Sequence, residues 1–219
     1  MSEQQRSTYV WDVPVRLFHW GVVAAVGVSW YSAEQGVSGW QAHLWSGYVL
    51  LTLVLFRVLW GVWGSETARF SDFLTGPRTL MRYLRHWWQV APSRSHNPLG
   101  GWAVVVLLLL LLAQGVTGLF ATDDILYSGP LADWVSGDLQ RAMTRMHATL
   151  FDLLVVLIVL HVLAIAVYRL ARGERLLTAM ITGRKRDGFA QPWIAPLGRA
   201  ALLAAAAAGL LALAVLTAP

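Results

Sequence analysis

Five apolar runs divide the chain, at about residues 15–33, 41–63, 101–120, 146–170 and 200–217. Each is long enough, at 1.5 Å per helical residue, to cross a hydrocarbon core of about 30 Å. The pattern predicts four membrane helices and a fifth near the C-terminus. The first connection, residues 34–40, is short and contains Gly36 and Gly39. Residues 64–100, 121–145 and 171–199 are polar. Within the first of these, 77–88 predicts an interfacial amphipathic helix with Met81, Leu84 and Trp88 on one side.

Four histidines fall inside the apolar runs: His19, His43, His147 and His161. His147 and His161 are fourteen residues apart, close to four helical turns, so they share a face and stand about 21 Å apart along the axis. Lysine and arginine set the orientation. The 64–100 and 171–199 connections and the N-terminal arm are arginine-rich, whereas 34–40 and 121–145 hold only Arg141 and Arg145. The positive-inside rule then puts the N-terminus in the cytoplasm. The first run is expected to be a retained signal anchor, because its leading segment is long and contains Asp12. With this topology, depth pairs His43 with His147 near the external face and His19 with His161 near the cytoplasmic face. Two imidazoles on one iron suit electron transfer, and two such pairs suggest two haems stacked across the bilayer. A histidine in a membrane helix can also simply hydrogen-bond its neighbour. Imidazole likewise ligates zinc, copper or nickel, although neither level offers further ligands. His86 and His96, in the basic connection, are set aside as exposed or interfacial.

Composition narrows this picture. Of 219 residues, 57% are hydrophobic and 13% charged, against about 25% charged in soluble domains. The lipid bilayer is therefore the expected surroundings. The net charge of +5 lies in the connections, where topology explains it better than nucleic acid does. The absence of cysteine excludes disulfides, thiolate-held clusters and thioether-linked haem. The twelve tryptophans fit interfacial belts.

Several neighbours suit a porphyrin. Gly47 lies one turn after His43 and leaves room for a flat macrocycle, as do Gly115 and Gly118. Arg57, fourteen residues after His43, shares its face at cytoplasmic depth, where it would meet a haem propionate or snorkel to the interface. Arg16 has a weaker claim to the same role. Asp152 is costly in lipid and calls for a partner or water. Gln114 is either glue between helices or part of a quinone pocket.

These residues resemble a known family. Val10-Trp11-Asp12-Val13-Pro14-Val15-Arg16-Leu17-Phe18-His19-Trp20 is similar to the first-helix signature of bacterial cytochrome b561 and nickel-hydrogenase cytochrome b subunits. So are His43 with Gly47-Tyr48, the run Phe56 to Gly61 with Ala68-Arg69-Phe70, and Asn97-Pro98-Leu99-Gly100-Gly101-Trp102. Gln114 to Gly118, His147, His161 and Met180 to Lys185 complete the pattern, over about residues 9–188. The resemblance implies an all-α integral membrane protein, a four-helix transmembrane bundle holding two haems b, with His19, His43, His147 and His161 as axial ligands. Residues 1–190 would form that domain, and 191–219 would add a C-terminal transmembrane helix that departs from the four-helix core.

The function expected is that of a multi-pass respiratory cytochrome of the bacterial inner membrane. It would carry electrons between quinone or quinol, with a quinone bound, and an extracytoplasmic partner. The partner would be a c-type cytochrome or a hydrogenase-like subunit; the acidic residues of 121–145 suit a basic one. Two alternatives share the architecture. One is a superoxide:quinone oxidoreductase steered by Arg141 and Arg145; the other is a membrane anchor for a hydrogenase-like complex.

Overall fold

The computed structural model describes residues 7–91, 93–186 and 189–217. The first six residues of the N-terminal arm, which entered the orientation argument, lie outside the described residues. Among the described residues eight α-helices follow in chain order: α1 (Val13–Ala33), α2 (Trp40–Trp63), α3 (Phe70–Phe73), α4 (Pro77–His86), α5 (Pro98–Leu119), α6 (Gly137–Arg172), α7 (Leu176–Thr182) and α8 (Leu197–Leu216). Of these, α1, α2, α5, α6 and α8 are long and apolar enough to cross a membrane. The first four run up and down, with α1 on α2, α2 on α5 and α5 on α6. The ring closes through contacts such as Trp30 with Phe151, whose centroids are 5.6 Å apart. We call the end at His43 and His147 upper, and the end at Asp12 and Arg57 lower.

Two helix starts explain two of the sequence motifs. Asp12 caps α1, its Oδ1 accepting from the Val15 amide at 2.8 Å ahead of Pro14. Asn97 caps α5 in the same way, accepting from the Gly100 amide at 2.7 Å, with Pro98 in the first turn. Both satisfy amides that a helix start leaves free, and the proline forfeits none of them. Gly61 is required by packing, since a Cβ there would lie 2.1 Å from the Phe70 ring.

The polar connections depart from the sequence expectation at one place. Residues 137–145, read as part of a loop, form the first turns of α6. At 36 residues this helix is about 54 Å long, well beyond the hydrocarbon core. Its early turns carry Asp138, Arg141 and Arg145, and hydropathy registers the bilayer rather than the helix. The amphipathic segment is a helix as expected, ending at His86 rather than Trp88. Met81, Leu84 and Trp88 are exposed, while Tyr83 on the opposite side is buried with its hydroxyl 2.6 Å from that of Tyr168.

A two-stranded antiparallel sheet joins the segment before α1 to the segment after α7 at the lower side. Strand β1 (Ser7–Tyr9) pairs with β2 (Arg184–Arg186), and the amides of Val10 and Trp11 both donate to the Gly183 carbonyl, at 2.8 and 3.1 Å. Gly183 has a φ of 79°, and a Cβ there would meet the Trp11 carbonyl at 2.7 Å. Only glycine fits both demands. Below the bundle, Arg94 bridges Glu66 and Asp72 at 2.5 and 2.9 Å. Glu66 also accepts from the Trp193 amide at 2.8 Å, and Ser65 from the Ala195 amide at 3.0 Å. These bonds lead the chain into α8, which packs on α2 and buries Ala207.

Candidate functional site

The upper histidines meet across a cavity of about 420 Å³, whose lining includes His43, Gly47, Gln114, Gly118, His147 and Phe151. That volume is in the range of small-molecule and cofactor sites. The ring centroids of His43 and His147 are 6.1 Å apart and their planes cross at 78°. Two metal–nitrogen bonds of about 2 Å each, with the distance from each nitrogen to its ring centre, add up to such a separation. The Nδ1 of His43 lies 2.9 Å from the Ser29 carbonyl, and the Nδ1 of His147 is 2.9 Å from the Gln114 carbonyl. A carbonyl can only accept, so each Nδ1 carries the hydrogen and each Nε2 is left as a lone pair for a metal.

The surroundings keep this arrangement. Ser29 and Ser46 join α1 to α2 through hydroxyls 2.7 Å apart, and Ser46 donates to the His43 carbonyl at 3.0 Å. A Cβ on Gly118 would lie 3.0 Å from Cε1 of His147, so the glycine makes room for that ring. Nothing lies within 4 Å of a Cβ on Gly47, which faces open cavity. Gly115 instead serves helix packing, with Leu51 side-chain atoms 2.4 Å from where its Cβ would be. The Gln114 amide nitrogen stands 3.2 Å from Nε2 of His147, and its Oε1 is buried without a partner among the described residues. At the mouth, Trp40 stacks on Tyr127 at 4.7 Å. The loop behind Tyr127 is tied by Asp123, whose Oδ1 accepts from the amides of Ile125, Leu126 and Tyr127 at 2.8–3.0 Å. Those bonds hold its carboxyl below the usual aspartate range.

The lower end is built differently. His19 on α1 and His161 on α6 are half-buried and close enough to interact electrostatically. The Nδ1 of His19 is buried with no hydrogen-bond partner among the described residues. Arg57 is 3% exposed, its Cζ 5.2 Å from the Phe70 ring centre, and its Nη1 is likewise unpartnered. Arg16 spends Nη1 on the Ile181 carbonyl at 2.7 Å and places Nη2 3.4 Å from the Tyr9 hydroxyl, leaving its buried Nε without a partner. Asp12, also buried, is occupied by the Val15 amide and by the Trp60 indole at 2.9 Å. Buried polar atoms are normally paired, so this run of orphans fits a polar, anionic group between the helices.

Other residues singled out in the sequence lie apart. Asp152 is exposed on the outer face of α6, and His86 is exposed on α4. His96, set aside as exposed or interfacial, is half-buried with its ring between Trp11 and Phe73. Its one sequence signal was its position just before the Asn97 cap. Among the described residues no three histidine, cysteine, aspartate or glutamate side chains cluster as ligands for a bare ion. Two facing imidazoles beside a cavity, with glycines around it, suit an iron whose other ligands come from a macrocycle.

The profile of the family described as prokaryotic cytochrome b561 matches residues 10–183. A relative described as a probable Ni/Fe-hydrogenase B-type cytochrome subunit, from Azotobacter chroococcum mcd 1, is 27% identical over 215 residues. That alignment covers 82% of this chain and 89% of the relative. No solved structure matches the chain. With five apolar helices and a match running from the β1–α1 junction to Gly183, the chain belongs to the prokaryotic cytochrome b561 family and is a membrane b-type cytochrome of electron transfer.

Proposed function

We propose that this protein conducts electrons across the bacterial inner membrane through two haems b, between a quinone pool and an extracytoplasmic redox partner. His43 and His147 hold the upper haem, His19 and His161 the lower, and the arginine-rich lower end faces the cytoplasm. The observation that carries the reading is the upper pair, two imidazoles facing at 6.1 Å with both Nδ1 atoms bound to carbonyls. When bound, a bis-histidine haem supplies one-electron transfer with no open position for dioxygen.

The chain's own residues do the remaining work. The Ser29 and Gln114 carbonyls fix the ligand tautomers, and Gly47 and Gly118 admit the macrocycle. Trp40 and Tyr127 restrict water at the mouth. Arg57 offers a buried guanidinium to a propionate of the lower haem, and Arg16 offers its Nε alone. The name of the Azotobacter relative supports a hydrogenase-like subunit as the external partner. Exposed Asp123, Asp124, Asp133 and Asp138 support a basic surface on it, as a c-type cytochrome would present. The superoxide reading has less support, because Arg141 is paired with Asp138 at 2.7 Å.

The test is haem counting by pyridine haemochrome on the purified protein and on four histidine variants. Wild type should hold two haems b per chain. His43→Ala and His147→Ala should each lose one, and His19→Ala and His161→Ala the other, distinguishable by potential. A wild type with one haem or none, expressed with ample haem, overturns the dihaem conduit.

A further inference from the structure

The lower end holds a histidine that the ligand pairs do not use. The His96 ring packs between Trp11 and Phe73, with centroids 4.6 and 4.5 Å away. Its Nδ1 is buried and has no hydrogen-bond partner among the described residues. Burial, with the charges of Arg57 and Lys185 nearby, pushes its pKa down to about 3. The ring is therefore neutral at neutral pH and keeps one N–H to donate.

Helix register puts His96 beside the lower pair. Gln114 on α5 meets His147 on the antiparallel α6. Fourteen residues on along α6 is His161, and fourteen back along α5 is Gly100, so these share a level. His96 is four residues before that level, on the side away from the membrane centre. On the α1–α2 pair, Gly21 packs against Leu53, which sets Arg57 level with Leu17, just below His19. Arg57 and His96 thus lie at the same margin of the lower site, joined by one aromatic wall. Arg57 lies over Phe70, Phe70 meets Phe73 at 5.8 Å, and Phe73 meets His96.

Each of the two ends in a buried nitrogen with no hydrogen-bond partner among the described residues. Asp12 supplies a nearby opposite charge, but its two oxygens already accept from the Val15 amide and the Trp60 indole, so the buried Nη1 of Arg57 is left without an acceptor among the described residues. The geometry points to a carboxylate bound jointly by Arg57 and His96, namely one propionate of the haem held by His19 and His161. This rests on the dihaem reading above. Arg57 supplies the charge, and His96, through the N–H of Nδ1, fixes where the carboxylate stands. A quinone carbonyl would satisfy His96, whereas a carboxylate has two oxygens and can accept from His96 and from Arg57 together.

The test is a potentiometric titration of both haems in the full-length purified protein, with haem counted alongside. His96→Phe keeps a stacked ring without an N–H, His96→Asn sets an amide N–H near the place of Nδ1, and His96→Gln sets it near Nε2. Removing the hydrogen bond leaves more negative charge on the carboxylate, which favours ferric iron. The lower midpoint should fall in His96→Phe by about three- to tenfold in the reduction constant, or about 30–60 mV at 59 mV per decade. The upper midpoint should stay, and His96→Asn should recover most of the fall while His96→Gln does not. Two haems with wild-type midpoints in His96→Phe overturn the proposal. Where that variant does not accumulate, equal lower midpoints in the Asn and Gln variants overturn it. Unchanged midpoints with slower reduction by decylubiquinol would assign His96 to a quinone instead, which also overturns it. Fewer than two haems in wild type is a separate failure, that of the dihaem reading.

Discussion

The two ends of the bundle place histidines at matched depths but prepare them in opposite ways. At the upper end each imidazole is fixed by a carbonyl at 2.9 Å, and Gly118 clears space for the His147 ring. At the lower end one buried nitrogen in each of His19, Arg57, Arg16 and His96 has no hydrogen-bond partner among the described residues. The upper site is shaped by its own hydrogen bonds around a cavity already formed. The lower site is a set of buried nitrogens whose hydrogen-bonding capacity is unmet among the described residues. Preorganisation and unmet demand thus stand at opposite ends of a single chain.

The largest separation of the two ends is expected from Gly118→Val, which puts branched carbon against the fixed His147 ring. Overpacking of this kind costs about 1–3 kcal/mol, or roughly five- to 150-fold in affinity. Haem titration into the apo-protein should show weaker binding at the upper site alone; equal weakening at both would break the comparison. A smaller effect is expected from Ser32→Ala. The Ser32 hydroxyl shares the Ser29 carbonyl with His43, at 3.1 Å. Removing it strengthens the His43 hydrogen bond and the basicity of the ligand. The upper midpoint should fall by about 20 mV, roughly twofold in the reduction constant, with the lower midpoint unmoved. The smallest effect belongs to Asp123→Ala, which unties the loop over the upper mouth. Dithionite should then reduce the upper haem about twofold faster, by the loss of gating loop order. The aspartate's folded pKa is depressed, so its contribution is present above the unfolded value of about 3.9 and is lost as pH falls through the folded one. Wild type should therefore show the same rate at pH 7 and pH 5.

What was legible in the sequence followed from periodicity and depth. The apolar runs recovered five spans, and the fourteen-residue spacing linked His147 to His161 and His43 to Arg57. The helical extension of α6 was hidden because Asp138, Arg141 and Arg145 are hydrophilic, and a helix in water needs no apolar run. The β1–β2 pairing was hidden for another reason. Three-residue strands some 175 positions apart leave no local pattern, and only Gly183 with its positive φ marks the turn into one of them. The packing of His96 was hidden because its neighbours in sequence are polar, whereas its neighbours in space are Trp11 and Phe73.

The Gly183 clasp also sets a calendar for biogenesis. Trp11 leaves the ribosome early, but the carbonyl that fixes it belongs to Gly183. Chains are made from the N-terminus at about 5–20 residues per second, so the wall at Trp11 stays unlatched until nearly the whole chain is translated. The upper pocket needs nothing beyond the first turns of α6 around His147. The residues that line the upper pocket all precede Gly183, so that end can form before the clasp at Trp11 closes.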